Sequence, residues 1–220
     1  MSGKESIAIL GGTGDLGTGL AIRWSRAGHE IIIGSRTLEK ARTAVANLHK
    51  ISPETPARAM ENADAAAAGD IVVLTVPAEH QVSTLETVRE GLKGKILIDV
   101  SVPLVPPRVG TVQLPEAGSA GKRAQDFLGD DVMVVSAFQN IAAHLLRQDI
   151  RIECDVLVAG NKRAARNKVI ELAAEAGLTG WHAGPIDNAA AAEALTSILI
   201  QINRRHDVSH SGIRIVGQEH

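Results

Sequence analysis

A chain of 220 residues, 45% of them hydrophobic, suffices for one substantial α/β domain or a domain with a small appendage, and argues against two equal domains. The net charge of -2 leaves no basic footprint for nucleic acid, and the sequence holds no apolar stretch of about 18 residues that would span a membrane. The opening MSGKES is too short and polar for a signal peptide, and the lone Cys154 excludes an intrachain disulfide and fits a reducing, cytoplasmic setting.

Apolar runs rich in Ile and Val alternate with helical patterns, the signature of a mostly parallel, doubly wound α/β sheet covered on both faces. SIAIL at 6–10 predicts the first strand. The helix after it repeats Leu16, Leu20, Trp24 and Ala27 at three- and four-residue spacing and stops at Gly28. A second strand at 30–34 leads to Thr37, an N-cap for a helix with the stripe Leu38, Ala41, Val45 and Leu48. ISPETPAR reads as a loop and NADAAAAGD as a short helix feeding a strand at 71–76, after which Pro77 opens another helix.

Strands at 95–100 and 132–137 are separated by the Pro- and Gly-rich segment 101–125, which reads as a long functional loop belonging to the site. Beyond 136 come a strand at 152–159, a helix at 161–176, a strongly apolar helix at 187–203 and a closing strand, GIRIV. Cys154, inside RIECDVLVAG, reads as a small core residue.

Gly12, Gly14 and Gly17 form G-x-G-x-x-G between the first strand and its helix. In that context the first glycine serves a tight turn, the second lets the backbone approach a diphosphate, and the third lets helix and strand pack closely. Unpaired N–H groups at the helix start then face the anion. The pattern therefore predicts a Rossmann-type dinucleotide-binding domain over 1–135 and a small C-terminal α/β extension over 136–220.

The residues closing the second strand select the cofactor, since an acid there accepts the ribose hydroxyls of NAD and a base meets the extra phosphate of NADP. Here they are Ser35 and Arg36, the latter 19 residues after Gly17, with Lys40 one helical turn further. This set predicts NADP; Glu39, inside the helix, is the one discordant residue. The strand 71–76 ends at the carboxyl edge of the sheet, so Thr75, Val76 and Pro77 are expected to line the crevice, with His80 either at a ligand phosphate or in solvent.

The runs AILGGTGDLGTGLA, GHEIIIGSR, VVLTVPAEH and VSVPLVPP, followed by VVSAFQNIAA, AGPIDNA and the apolar helix before GIRIV, resemble the F420-dependent NADP oxidoreductase family over nearly the whole chain. The resemblance implies direct hydride transfer between NADP(H) and the deazaflavin coenzyme F420, the C-terminal extension helping to form the deazaflavin pocket. It implies that Thr13, Gly14, Asp15 and Leu16 lie on the diphosphate loop and that Ser35, Arg36 and Lys40 bind the 2′-phosphate. It further implies that Ala137, Gln139 and Asn140 lie beside the reacting rings, and that the chain is a homodimer. Two positions depart from the family pattern: Gln139 stands where a histidine is expected, and Asp15 where an asparagine is expected.

Hydride transfer between two organic cofactors needs proximity and a dry pocket rather than a side-chain acid or base. The absence of tyrosine excludes the Tyr–Lys mechanism of short-chain dehydrogenases, and the length leaves no room for the large helical domain of hydroxyacid dehydrogenases. Two alternatives stay open: another acceptor, such as a flavin, a quinone or a small imine, and a non-catalytic NADP-binding redox sensor, whose glycine turn GGTGDLG resembles. No metal site is expected; His206 and His210 stand four apart without a third ligand, and Arg204 and Arg205 could attract an anionic tail of the second cofactor.

Overall fold

The computed structural model describes residues 4–12 and 14–217. Eight strands form one sheet in the order β3-β2-β1-β4-β5-β6-β7-β8. They are β1 (Ser6–Leu10), β2 (Glu30–Ser35), β3 (Ala57–Glu61), β4 (Ile71–Leu74), β5 (Ile96–Asp99), β6 (Met133–Ser136), β7 (Asp155–Gly160) and β8 (Thr179–Gly184). The helices are α1 (Asp15–Arg26), α2 (Leu38–Ile51), α3 (Asn62–Ala68), α4 (Gln81–Leu92), α5 (Ala120–Leu128), α6 (Arg163–Glu175) and α7 (Ala189–His206). All neighbours pair parallel except β6 and β7, which meet antiparallel through Val135–Gly160 and Ser136–Ala159. The C-terminal residues thus extend the same sheet by two reversed strands that are parallel to each other.

Side chains alternate across the central strands because successive Cβ atoms point to opposite faces. Ile7, Ile9, Ile31, Ile33, Ile71, Val73 and Ile98 pack with α1 and α6 side chains such as Leu20, Trp24, Val169 and Leu172. Ala8, Leu10, Ile32, Val72, Leu74 and Leu97 pack on the other face with Ala65, Leu85, Val88 and Ala124 from α3, α4 and α5. Trp24 is fully buried and donates its indole N–H to the Leu172 carbonyl at 2.8 Å, tying α1 to α6.

Several expectations need correction. Ala57–Glu61, partly inside the segment read as a loop, is the edge strand β3, and Thr179–Gly184 is the opposite edge strand β8. Both edges are half-exposed and so lack an apolar run. The loop after β5 is shorter than 101–125, because Ser119 caps α5 by accepting from the Lys122 N–H at 2.9 Å. GIRIV is not a strand: it lies beside β7 through Asp155 N–H to the Ile213 carbonyl at 2.8 Å and Ile215 N–H to the Asp155 carboxylate at 2.6 Å. Cys154 is buried in the core, as read from its neighbours.

Candidate active site

The carboxyl edge of β1, β2 and β4 opens into a pocket of about 660 Å³. Its lining includes Gly11, Ser35, Arg36, Lys40, Val76, Pro77 and His80, so six residues singled out in the sequence meet there together with Gly11. Thr37 begins α2 by accepting from the Lys40 N–H, which sets Arg36 just before the helix and Lys40 in its first turn. Ser35 is buried at the strand end, whereas Arg36 and Lys40 are exposed. Among the described residues neither cation pairs with a carboxylate, leaving both donors for an anion. Glu39 lines the same pocket from the exposed face of α2.

The glycine turn separates what packing requires from what a ligand requires. Gly11 has a φ of +71°, and a Cβ there would lie 2.5 Å from Val76, so the tight turn is made by Gly11 rather than by Gly12. A Cβ on Gly12 would lie 3.0 Å from the Ile9 carbonyl, and one on Gly17 would lie 3.0 Å from the Gly12 Cα and 3.1 Å from the Thr75 hydroxyl. At Gly14 a Cβ would meet nothing within 4 Å. The bare surface at Gly14 fits a diphosphate laid against the start of α1, where N–H groups remain unpaired. Thr13 lies outside the described residues.

The remaining loop residues are placed differently from one another. Asp15 is exposed and its carboxylate pairs with Arg147, while Leu16 packs half-buried on the core. The Thr75 hydroxyl donates to the Leu10 carbonyl at 2.9 Å and supports the turn from beneath rather than lining the pocket. His80 lies exposed in a short 3-10 turn, Ala78–His80, ahead of α4.

A second, smaller pocket of about 200 Å³ is lined by Gln139 and Asn140 together with Thr196, Asn203 and His210. Phe138 sets its geometry. This residue has a φ of 70°, uncommon for a bulky side chain, and is held by complete burial and an edge-on contact with Trp24 at 5.9 Å between ring centroids. The chain leaves β6 there, and the Gln139 carbonyl accepts from the Thr196 hydroxyl of α7 at 3.0 Å. The Gln139 amide donates to the Asp99 carbonyl at 3.1 Å and the Ser136 hydroxyl at 2.7 Å, and the Asn140 amide donates to the Asp155 carbonyl at 2.9 Å. Their side-chain oxygens, both buried, accept no hydrogen bond from the described residues. Ala137 lies beneath, fully buried in the core and lining neither pocket.

His210 packs against His144 with ring centroids 3.7 Å apart and planes tilted by 48°, and His206 ends α7 in solvent beside the exposed Arg204 and Arg205. Among the described residues no three His, Cys, Asp or Glu side chains gather as a metal site requires. The loop 101–119 lines neither pocket and runs along α7, where a Cβ on Gly110 would lie 2.8 Å from the Gln201 amide oxygen.

A buried polar network joins α4, α5 and α7 to the end of β5. Glu193, on α7, accepts from the N–H groups of Ala120 at 2.7 Å and Gly121 at 3.0 Å, satisfying the start of α5. Gln81 donates to Asp99 and to the Ala120 carbonyl, and accepts from Arg123, which also donates to the Ala78 carbonyl at 2.8 Å. Burial pushes the Glu193 carboxyl up to about 7 against the pull of the two amides, and burial likewise raises Asp99. Sequence reasoning missed this network and Arg147, because nothing in local spacing marks residues that meet only through the sheet.

Strand order 3-2-1-4-5-6, a glycine turn after β1 and cations after β2 define a Rossmann-type dinucleotide-binding protein. The family described as NADP oxidoreductase, coenzyme F420-dependent, matches residues 6–103. An F420-dependent NADP reductase of Methanothermobacter thermautotrophicus is 41% identical over 218 residues, covering 95% of this chain and 94% of that protein. One from Methanocaldococcus jannaschii is 39% identical, covering 97% and 99%. Among solved structures, a hypothetical protein from Sinorhizobium meliloti superposes with a TM-score of 0.70 at 22% identity, covering 84% of this chain and 87% of that one. This chain belongs to the coenzyme F420-dependent NADP oxidoreductase family.

Proposed function

We propose that the protein is an NADP-dependent oxidoreductase that transfers hydride directly between NADP(H) and coenzyme F420. The observation that carries this reading is the near full-length similarity, about 40% identity, to proteins named F420-dependent NADP reductase, in a chain whose first pocket presents unpaired cations beside a bare glycine turn. When bound, the nicotinamide supplies or accepts the hydride, and the net reaction NADPH + F420 + H⁺ to NADP⁺ + reduced F420 is balanced by one solvent proton.

In this reading Ser35, Arg36 and Lys40 hold the 2′-phosphate, and the bare backbone at Gly14 lets the diphosphate approach α1, while Gly11, Gly12 and Gly17 keep the turn compact beneath it. Val76, Pro77 and His80 bound the opposite wall. Gln139 and Asn140, which line the second pocket, lie beside the second ring system. Residues 1–135 serve as the NADP-binding unit and 136–220 as the extension that completes the second pocket.

The exposed Ile198 and Ile202 on α7 support a homodimer, which light scattering tests. No described helix is long and apolar enough to cross a membrane, and the lone buried cysteine suits the cytoplasm.

The decisive experiment mixes purified protein with NADPH and F420 and follows absorbance. NADPH-dependent bleaching of F420 is expected. NADPH oxidation with a flavin, quinone or imine but not with F420 overturns the deazaflavin, and tight NADPH binding without any turnover points instead to a redox sensor.

A further inference from the structure

The segment after Phe138 runs from the second pocket to the first, and α1 holds it unusually close. A Cβ on Gly19 of α1 would lie 2.5 Å from the Leu146 Cβ and 3.1 Å from the Ala143 carbonyl, so this segment rests directly on the helix backbone. One turn along α1, the Arg23 guanidinium donates to the carbonyls of Leu146 at 2.9 Å, Leu145 at 3.4 Å, Gln148 at 2.5 Å and Ile150 at 2.9 Å. Four carbonyls gathered by one planar cation fix the course of a short 3-10 turn, Ala143–Arg147. That turn delivers Arg147 to the first pocket.

There the Arg147 Nη2 pairs with the carboxylate of Asp15, the first residue of α1. The Arg147 Nε is buried and has no partner among the described residues. A carboxylate at the mouth of a diphosphate site repels the ligand unless a cation beside it cancels the charge. A guanidinium carries five donors in a planar fork, so one can stay on Asp15 while others turn to a phosphate oxygen. The site's position at the amino end of α1 makes the diphosphate, rather than the 2′-phosphate, the group within reach.

We propose that Arg147 is a diphosphate ligand of the dinucleotide site, kept in reach by Asp15. The proposal rests on the NADP reading of the first pocket and adds to it a cation from outside the first six strands. The diphosphate is common to NADPH and NADH, whereas Arg36 would meet only the phosphate that distinguishes them. The two cations therefore leave different signatures.

Calorimetric titration of the full chain with NADPH and with NADH separates the cases, using Arg147→Ala, Arg147→Lys, Asp15→Asn and Arg36→Ala, with melting temperature measured on each. Arg147→Ala is expected to weaken both dinucleotides by the same factor, about tenfold or more, with Arg147→Lys recovering part of the loss. Asp15→Asn, which keeps an acceptor oxygen for Arg147 but removes the charge that repels the diphosphate, is expected to tighten both. Undiminished binding by Arg147→Ala overturns the proposal, and so do equal losses in Arg147→Ala and Asp15→Asn that track a shared fall in melting temperature, which would mark the pair as a strut. If Arg36→Ala loses its preference for NADPH while Arg147→Ala binds normally, only the proposal fails. If the unmodified protein binds neither dinucleotide, the reading beneath it fails as well.

Discussion

The two pockets share the carboxyl edge of one sheet yet present polar groups in opposite ways. The first holds its cations in the open: Arg36 and Lys40 are exposed and unpaired among the described residues. The second is lined by Gln139 and Asn140, whose side-chain oxygens are buried without partners among the described residues. An exposed cation loses little by waiting in water for its anion, whereas a buried unsatisfied carbonyl costs roughly 1–3 kcal/mol until something donates to it. The first pocket therefore keeps charged donors ready for an anion, whereas the polar groups of the second are tied into the fold around it.

The sharpest break of this contrast removes the open cations. Arg36→Ala combined with Lys40→Ala deletes two charge-assisted contacts of about 1.5–3 kcal/mol each, so NADPH affinity falls by roughly 10² to 10⁴ while NADH affinity stays level in the same titration.

Next in size is the buried carboxylate. Because Glu193 has a folded-state pKa raised from 4.5 to about 7, the fold favours its protonated form; the associated stability is full below the unfolded value and lost as pH rises through about 7. That span corresponds to about 3 kcal/mol. Melting temperature should therefore fall between pH 5 and pH 8, and Glu193→Gln should flatten the slope. Asp99, raised in the same direction and left in place, keeps some of it. An unchanged slope would mean that the carboxylate is not isolated from water.

The glycine turn gives a smaller, two-way test. Gly17→Ala drives a Cβ against backbone and should destabilise the fold by about 1–3 kcal/mol, whereas Gly14→Ala should leave melting unchanged and weaken NADPH. The smallest effect is expected from Gln139→His, which installs the residue the family resemblance leads one to expect. F420 turnover should shift by about 1 kcal/mol, roughly fivefold, with NADPH affinity untouched.

The difference between the pockets also explains how much could be read from sequence. β1, β2, β4, β5 and β6 are buried on both faces and announce themselves as Ile/Val runs, and the first pocket is made of short-range spacings after β1 and β2. The edge strands β3 and β8 bury too little to leave such a run, and α5 hid behind glycines, one of which, Gly121, is needed because a Cβ there would lie 2.9 Å from Ser136. The second pocket draws on residues as far apart as Gln139, Thr196 and His210, brought together only by tertiary packing. Of its lining, Gln139 and Asn140 are residues the resemblance points to, whereas Ala137, the third, is fully buried and lines neither pocket.

The reversal of β7 has an architectural consequence. An antiparallel strand begins where its parallel neighbours finish, so Cys154 and Asp155 emerge at the ligand edge and Asn140 can anchor to them. A parallel strand would have needed a full crossover helix to return there. One change of direction thus supplies a wall of the second pocket from the same sheet, while the intervening turn Ala143–Arg147 carries Arg147 back to the first.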